Sequence, residues 1–150
     1  MPVSRTEVRV QWADIDAAQI VWHGHFLRYL DQAEQDLFTA LGLTYQSIDA
    51  RFAVILPRTR FECTFRSPAR VGDRLIVDLS IVVLHPRRIR IPFRITQRET
   101  DRLVLEGAYE MACVDRDNFA ASDFPAELLR AFRDAQEGQD RGPASWCTVR

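Results

Sequence analysis

Hydrophobic and polar positions change period twice along this chain. Over residues 6–13 (TEVRVQWA) they alternate, which predicts a strand with one buried face. The alternation lapses over 14–23 (DIDAAQIVWH), which predicts a loop. From 24 to 42 the period becomes helical: Phe26, Leu30, Ala33, Leu37 and Leu41 recur at steps of three or four, and Leu27 and Phe38 widen the stripe. Arg28, Asp31, Gln32, Gln35 and Asp36 take the opposite side, and Gly42 follows as the C-terminal cap. Such a helix is about 28 Å long at ~1.5 Å per residue.

Strand patterns then dominate to residue 115. In 58–66, Arg58, Arg60, Glu62, Thr64 and Arg66 alternate with Thr59, Phe61, Cys63 and Phe65. Residues 74–84 (RLIVDLSIVVL) are β-branched and apolar, 88–98 place Ile89, Ile91, Phe93 and Ile95 on one face, and 103–115 form the last long strand. Pro92 has no N–H to give a ladder, so it predicts an edge strand or a bulge. Ser67-Pro68, Val71-Gly72-Asp73 and His85-Pro86 mark turns. A short helix over 125–136 opens on Pro125 and closes near Gly138, with 136–150 expected as a loose tail of the single domain 1–150. One long helix followed by about five antiparallel strands is an α+β plan. A single helix covers one face of such a sheet. The other face, expected to carry apolar residues, calls for a partner, so a homodimer or homotetramer is predicted.

Composition changes this picture little. The 150 residues are 47% hydrophobic and 27% charged, enough for a core without disulfide or structural metal. A net charge of −1 gives no global attraction to nucleic acid or an anionic membrane. All 20 basic residues are arginine, which removes any lysine Schiff-base chemistry. Cys63, Cys113 and Cys147 are odd in number and lack C-x-x-C spacing, which fits reduced thiols in a cytoplasmic protein. The polar start and the lack of a ~20-residue apolar run predict neither signal peptide nor membrane insertion.

The candidate chemistry lies in residues 12–29. Asp14 and Asp16 stand in a loop between a strand and the buried helix, and His23 stands at the helix start. A helix N-terminus leaves N–H groups unpaired and carries partial positive charge. A carboxylate facing it can attack a carbonyl or activate water while the N–H groups hold the developing oxyanion. Taken alone, Asp16 fits a turn or helix cap better than a catalytic role.

The stretch resembles the 4-hydroxybenzoyl-CoA thioesterase-like group of the hotdog superfamily, in which a first strand ends in D-x-D-x-x-G and a hydrophobic pair leads into the long helix. Asp14, Asp16, Ile20, Val21, Trp22, His23, Phe26, Leu27, Arg28 and Tyr29 match in spacing, and Pro68 with Ala69 to Leu75 is similar to the family's P-A-x-x-G-D-x-L. The resemblance implies a long helix wrapped by an antiparallel sheet, an acyl-CoA or acyl-carrier thioester as substrate, no cofactor, and a site between subunits completed by the partner's strand region after residue 52. It makes Asp16 the catalytic nucleophile or general base. His23 becomes the group whose backbone N–H, and in some relatives side chain, polarises the carbonyl. Asp14 is expected to stabilise the loop, His25 and Tyr29 to pack, and Asp31 to be solvated or supporting.

The departures are Gln19 for the loop glycine, His25 for the usual asparagine and Phe26 for a frequent tyrosine. They motivate an alternative, a non-hydrolytic acyl-CoA or acyl-carrier binding protein. His23-x-His25 beside Asp14-x-Asp16 also has metal-binding residue types, but two-residue spacing splays the histidines and the resembled group uses no metal, so none is expected. Gly24-His25-Phe26 is similar to the G-H-F of hotdog dehydratases, but Leu27-Arg28-Tyr29 breaks that pattern. Arg87, Arg88 and Arg90 form the densest basic cluster, with arginine forks suited to the CoA phosphates or to an exposed strand end. Trp12, Trp22 and Phe52 are candidates for an acyl pocket or for core.

Overall fold

The computed structural model describes residues 2–140. Strand β1 (Ser4–Arg9) is followed by a 3-10 turn at Trp12–Asp14, a tight loop, and a second 3-10 turn at His23–His25. The latter runs straight into helix α1 (Phe26–Ala40). Helix α2 (Tyr45–Phe52) and strands β2 (Val54–Ile55), β3 (Arg58–Phe65), β4 (Arg74–Leu79), β5 (Val82–His85), β6 (Arg88–Gln97), β7 (Leu103–Ala112) and β8 (Val114–Asp115) lead to helix α3 (Ala126–Asp140). The main antiparallel sheet has the order β1-β4-β6-β7-β3, with β5 also on β6, and β2 pairs with β8. This is the α+β arrangement expected, with six strands in the main sheet rather than about five. No helix among the described residues is long and apolar enough to cross a membrane.

The core lies between α1 and one face of the sheet. Leu30, Ala33 and Leu37 meet Leu75, Val77, Ile91, Phe93 and Ile95, all essentially without solvent contact. Four features differ from the sequence reading, each for a local reason. The strand expected over 74–84 breaks at Ser80–Ile81, opposite Pro92. Pro92 lies in β6, an interior strand: its carbonyl accepts the Ser80 N–H at 2.9 Å, and its ladder to β7 continues through Ala108. A residue's N–H and C=O point to the same side of an antiparallel strand, so the missing donor falls at the break and costs β7 nothing.

Helix α3 continues to Asp140 through Gly138 because its side chains complete that broken strand. Gln139 accepts from the Ile81 N–H at 3.0 Å and donates to the Ile81 carbonyl at 2.6 Å, and Gln136 accepts from the Val83 N–H at 2.8 Å. Residues 141–150 of the expected tail lie outside the described residues. Helix α2 fell in a predicted loop; its signal was the reciprocal cap in which Thr44 accepts from the Ser47 N–H at 3.0 Å and Ser47 from the Thr44 N–H at 2.8 Å.

The fourth difference is the outer face of the sheet, expected to be apolar. It is dominated by arginine–carboxylate pairs, among them Arg5–Asp78, Arg66–Glu106 and Arg90 with Glu62 and Glu110. Alternation in β1, β3 and β6, interrupted in β3 by an irregularity between Arg58 and Arg60, sends every arginine of these strands but Arg58 outward, so this face is charged rather than apolar. The uncovered apolar surface is on the inner side at β3. Helix α1 packs over β1 and β4, which leaves Phe61 and Phe65 of the free-edged strand β3 40% and 55% exposed.

Candidate active site

The loop after β1 folds back as a miniature hairpin. Ile15 bridges Val21, the Asp16 N–H donates to the Ile20 carbonyl, and the Gln19 N–H donates to the Asp16 carbonyl, both at 3.0 Å. Gln19 closes this turn with φ of +62°, the left-handed region a glycine enters freely. Replacing the loop glycine by Gln19 therefore leaves the turn in a glycine-like conformation, at a cost of about 1 kcal/mol.

That turn presents Asp16 partly exposed. Its Oδ1 accepts the Ala18 N–H at 2.8 Å, and Oδ2 has no partner among the described residues. Asp16 lines a cavity of about 430 Å³ with Ile20, Val21, His23, Phe26 and the Phe65–Ala69 segment that leaves β3. Phe26 and Phe65 meet edge to face at 5.9 Å between ring centres and form its aromatic wall. The cavity is thus apolar in its depth and polar where Asp16, His23, Arg66 and Ser67 stand.

His23 opens the 3-10 turn that leads into α1. The N–H groups of His23 and Gly24 are the first of that turn and find no backbone acceptor among the described residues. The Trp22 indole packs against Gly24, where a Cβ would come within 2.2 Å of a ring carbon, so this approach requires glycine. The structure thus brings Asp16 and His23, the two catalytic candidates, to one cavity wall.

Asp14, two residues earlier, has the opposite surroundings. It is 2% exposed, and its carboxylate accepts from the Gln11 N–H at 2.9 Å, the Tyr29 hydroxyl at 2.7 Å and the Arg28 guanidinium. Burial works against its charge, but those three donors outweigh it and hold the carboxyl below its ordinary range. The same burial, with the Asp14 charge alongside, pushes the Tyr29 hydroxyl far up. The Asp14 carbonyl takes the Trp22 N–H at 2.9 Å and is 2.8 Å from His25 Nδ1. Tyr29 and His25, expected to pack, are therefore polar partners of Asp14.

Other candidates lie elsewhere. Arg87, Arg88 and Arg90 lie just before and within the far end of β6, roughly 20–30 Å along the strand from the end nearest the cavity. They pair with Asp123, Glu110, and both Glu62 and Glu110 respectively. Trp12, Trp22 and Phe52 are not in the cavity wall; Phe26 and Phe65 take that place. Phe65, Arg66 and Ser67 went unnoticed because a strand end of alternating pattern carries no chemical signature. Asp31 is exposed and pairs with Arg58, which also holds Glu34. Glu34 is fully buried; burial pushes its carboxyl up, and Arg58 and the Tyr109 hydroxyl only partly offset that. Among the described residues no three of His, Cys, Asp and Glu gather as a metal site.

The sequence model of the thioesterase-like superfamily matches residues 10–132. A 1,4-dihydroxy-2-naphthoyl-CoA hydrolase of Thermosynechococcus vestitus is 27% identical over 143 residues, covering 93% of this chain and 97% of that protein. An acyl-CoA thioesterase of Haemophilus influenzae is 23% identical, covering 83% and 90%. Among solved structures, a 1,4-dihydroxy-2-naphthoyl-CoA thioesterase from Synechocystis superposes with a TM-score of 0.81 at 26% identity, over 87% of this chain and 96% of that one.

Proposed function

The chain belongs to the thioesterase-like superfamily and is a hotdog-fold thioester hydrolase, and on that premise we propose that Asp16 carries the chemistry on an acyl-CoA substrate. The observation that supports this most is the single cavity shared by Asp16, His23 and an aromatic wall. The acyl group packs against Phe26 and Phe65. The thioester carbonyl points at the N–H groups of His23 and Gly24, which stabilise the oxyanion as the tetrahedral centre forms. Asp16 Oδ1 is held by the Ala18 N–H, leaving Oδ2 to attack the acyl carbon or to take a proton from water.

Those two routes separate in a single turnover run in ¹⁸O-water. Direct attack by water puts ¹⁸O in the first product acid. Attack by Asp16 gives an acyl-aspartyl anhydride whose hydrolysis at the aspartyl carbon leaves the label on the enzyme. A turnover screen over aromatic acyl-CoAs, 1,4-dihydroxy-2-naphthoyl-CoA among them, and short- and long-chain acyl-CoAs then defines the acyl group. Binding without turnover across that panel would overturn the assignment of Asp16.

The site is completed by a second copy of the chain. The free edge of β3 and its exposed Phe61 and Phe65 favour a two-fold pairing there. Antiparallel pairing of two β3 strands sets the far end of one sheet beside the cavity of the other. Arg87, Arg88 and Arg90 then reach the CoA phosphates from the partner subunit, exchanging their present carboxylates for phosphate. Light scattering at micromolar concentration should give a dimer or tetramer; a stable, active monomer would contradict this arrangement.

A further inference from the structure

We propose that His25 is a positioning residue for thioester hydrolysis: its Nδ1–H, donated to the Asp14 carbonyl, fixes the direction in which the His23 and Gly24 N–H groups face the substrate. This rests on the reading of those N–H groups as the oxyanion donors.

The argument starts from the two ends of the turn. Trp22, on one side of His23 and Gly24, donates its N–H to the Asp14 carbonyl at 2.9 Å. His25, on the other side, places Nδ1 at 2.8 Å from the same oxygen. A carbonyl only accepts, so Nδ1 carries the proton. One oxygen therefore holds both flanks of the two residues between, and its residue is anchored through the carboxylate, which accepts from Gln11, Arg28 and Tyr29. The Trp22 ring closes the assembly, lying over Gly24 and meeting the His25 ring edge-on at 5.3 Å. Without the imidazole bond, the turn keeps the His25 N–H to the Trp22 carbonyl and the Trp22 N–H to the Asp14 carbonyl, both at 2.9 Å, but loses the second tie, on its helix side, to the loop that carries Asp16. A displacement of about 1 Å at such donors costs on the order of a hundred-fold in rate.

Asparagine distinguishes this role from chemistry by the imidazole itself. Its Nδ2 lies one bond from Cγ, as Nδ1 of histidine does, so it can donate to the same carbonyl but cannot transfer a proton at neutral pH. His25→Leu removes the donor altogether. We expect His25→Leu to lower kcat at least ten-fold with KM changed less than about three-fold, and His25→Asn to keep kcat within about three-fold of the parent. In ¹⁵N-edited spectra of the unmodified protein at neutral pH, the neutral His25 ring should be the Nδ1–H tautomer. Near-normal turnover of His25→Leu, an asparagine variant as impaired as the leucine one, or the Nε2–H tautomer would each overturn the proposal. The tautomer is read without substrate, and the comparison of variants without any change at Asp16. A failure here is therefore distinct from a failure of Asp16 as the reacting group, which Asp16→Asn reads by itself.

Discussion

Asp14 and Asp16 lie two residues apart on one loop and have opposite surroundings. Asp14 is buried and accepts from a backbone N–H, a tyrosine and an arginine; Asp16 is partly exposed, accepts one backbone N–H and faces a cavity. What separates the roles is the supply of donors. A carboxylate saturated by fixed donors is a strut, since any reaction at it must first break its bonds. A carboxylate with one oxygen held and one free is aimed and still available. The strut also serves the proposed reacting group, because the Asp14 carbonyl ties the Asp16 loop to the helix start.

The contrast can be broken first at Asp14. Asp14→Ala strands the buried Tyr29 hydroxyl and the Gln11 N–H and should cost about 3 kcal/mol or more. That is a fall of roughly 10 °C in Tm by thermal unfolding. Its pH dependence has a definite sign. A carboxyl held below its unfolded value, about 3.9, contributes stability in full above that pH and loses it as pH falls through the folded value. Acid unfolding of Asp14→Asn should therefore begin from a lower plateau and lose less as pH falls below about 4 than the parent does.

His23→Ala sharpens the comparison from the other side. It removes an exposed imidazole and leaves the backbone N–H, so kcat should fall about ten-fold, well short of the loss at a general base, with Tm little changed. Neutralising Arg87, Arg88 and Arg90 together should raise KM for acyl-CoA about five-fold and leave short N-acetylcysteamine thioesters unaffected; equal losses on both substrates would remove them from the phosphate site. Gln19→Gly should show the smallest effect, a gain of up to about 1 kcal/mol in chemical denaturation from relief of the left-handed backbone.

The long helix and the strands were legible because each has one period set by burial: Leu30, Ala33 and Leu37 on a helical step, Ile89 to Ile95 on a strand step. The resemblance singles out the two carboxylates as a pair with Asp14 as the structural one, and the structure shows Asp14 buried and bonded to three donors. What the pattern hid is where one residue answers another far along the chain. Pro92 sits in an interior strand because Ser80, twelve positions earlier, breaks the neighbouring one. Gly138 stays helical because Gln139 reaches Ile81. The outer face is charged and not apolar because Arg90 meets Glu62 and Glu110 from two other strands, a pairing that no single strand's pattern contains. The cavity wall at Phe65 to Ala69 depends likewise on the return of β3 toward the helix start.

The division of labour between the two carboxylates is tested most directly by Asp16→Asn, with kcat and Tm measured on the same preparation beside Asp14→Asn. The side chain keeps its size and an oxygen for the Ala18 N–H, and loses only its charge. The account predicts that kcat falls by about two orders of magnitude or more, the scale of a lost base, with KM moving less and Tm staying within a few degrees of the parent, while Asp14→Asn loses stability. A folded Asp16→Asn protein that turns over a good thioester substrate at close to the parent rate would contradict it.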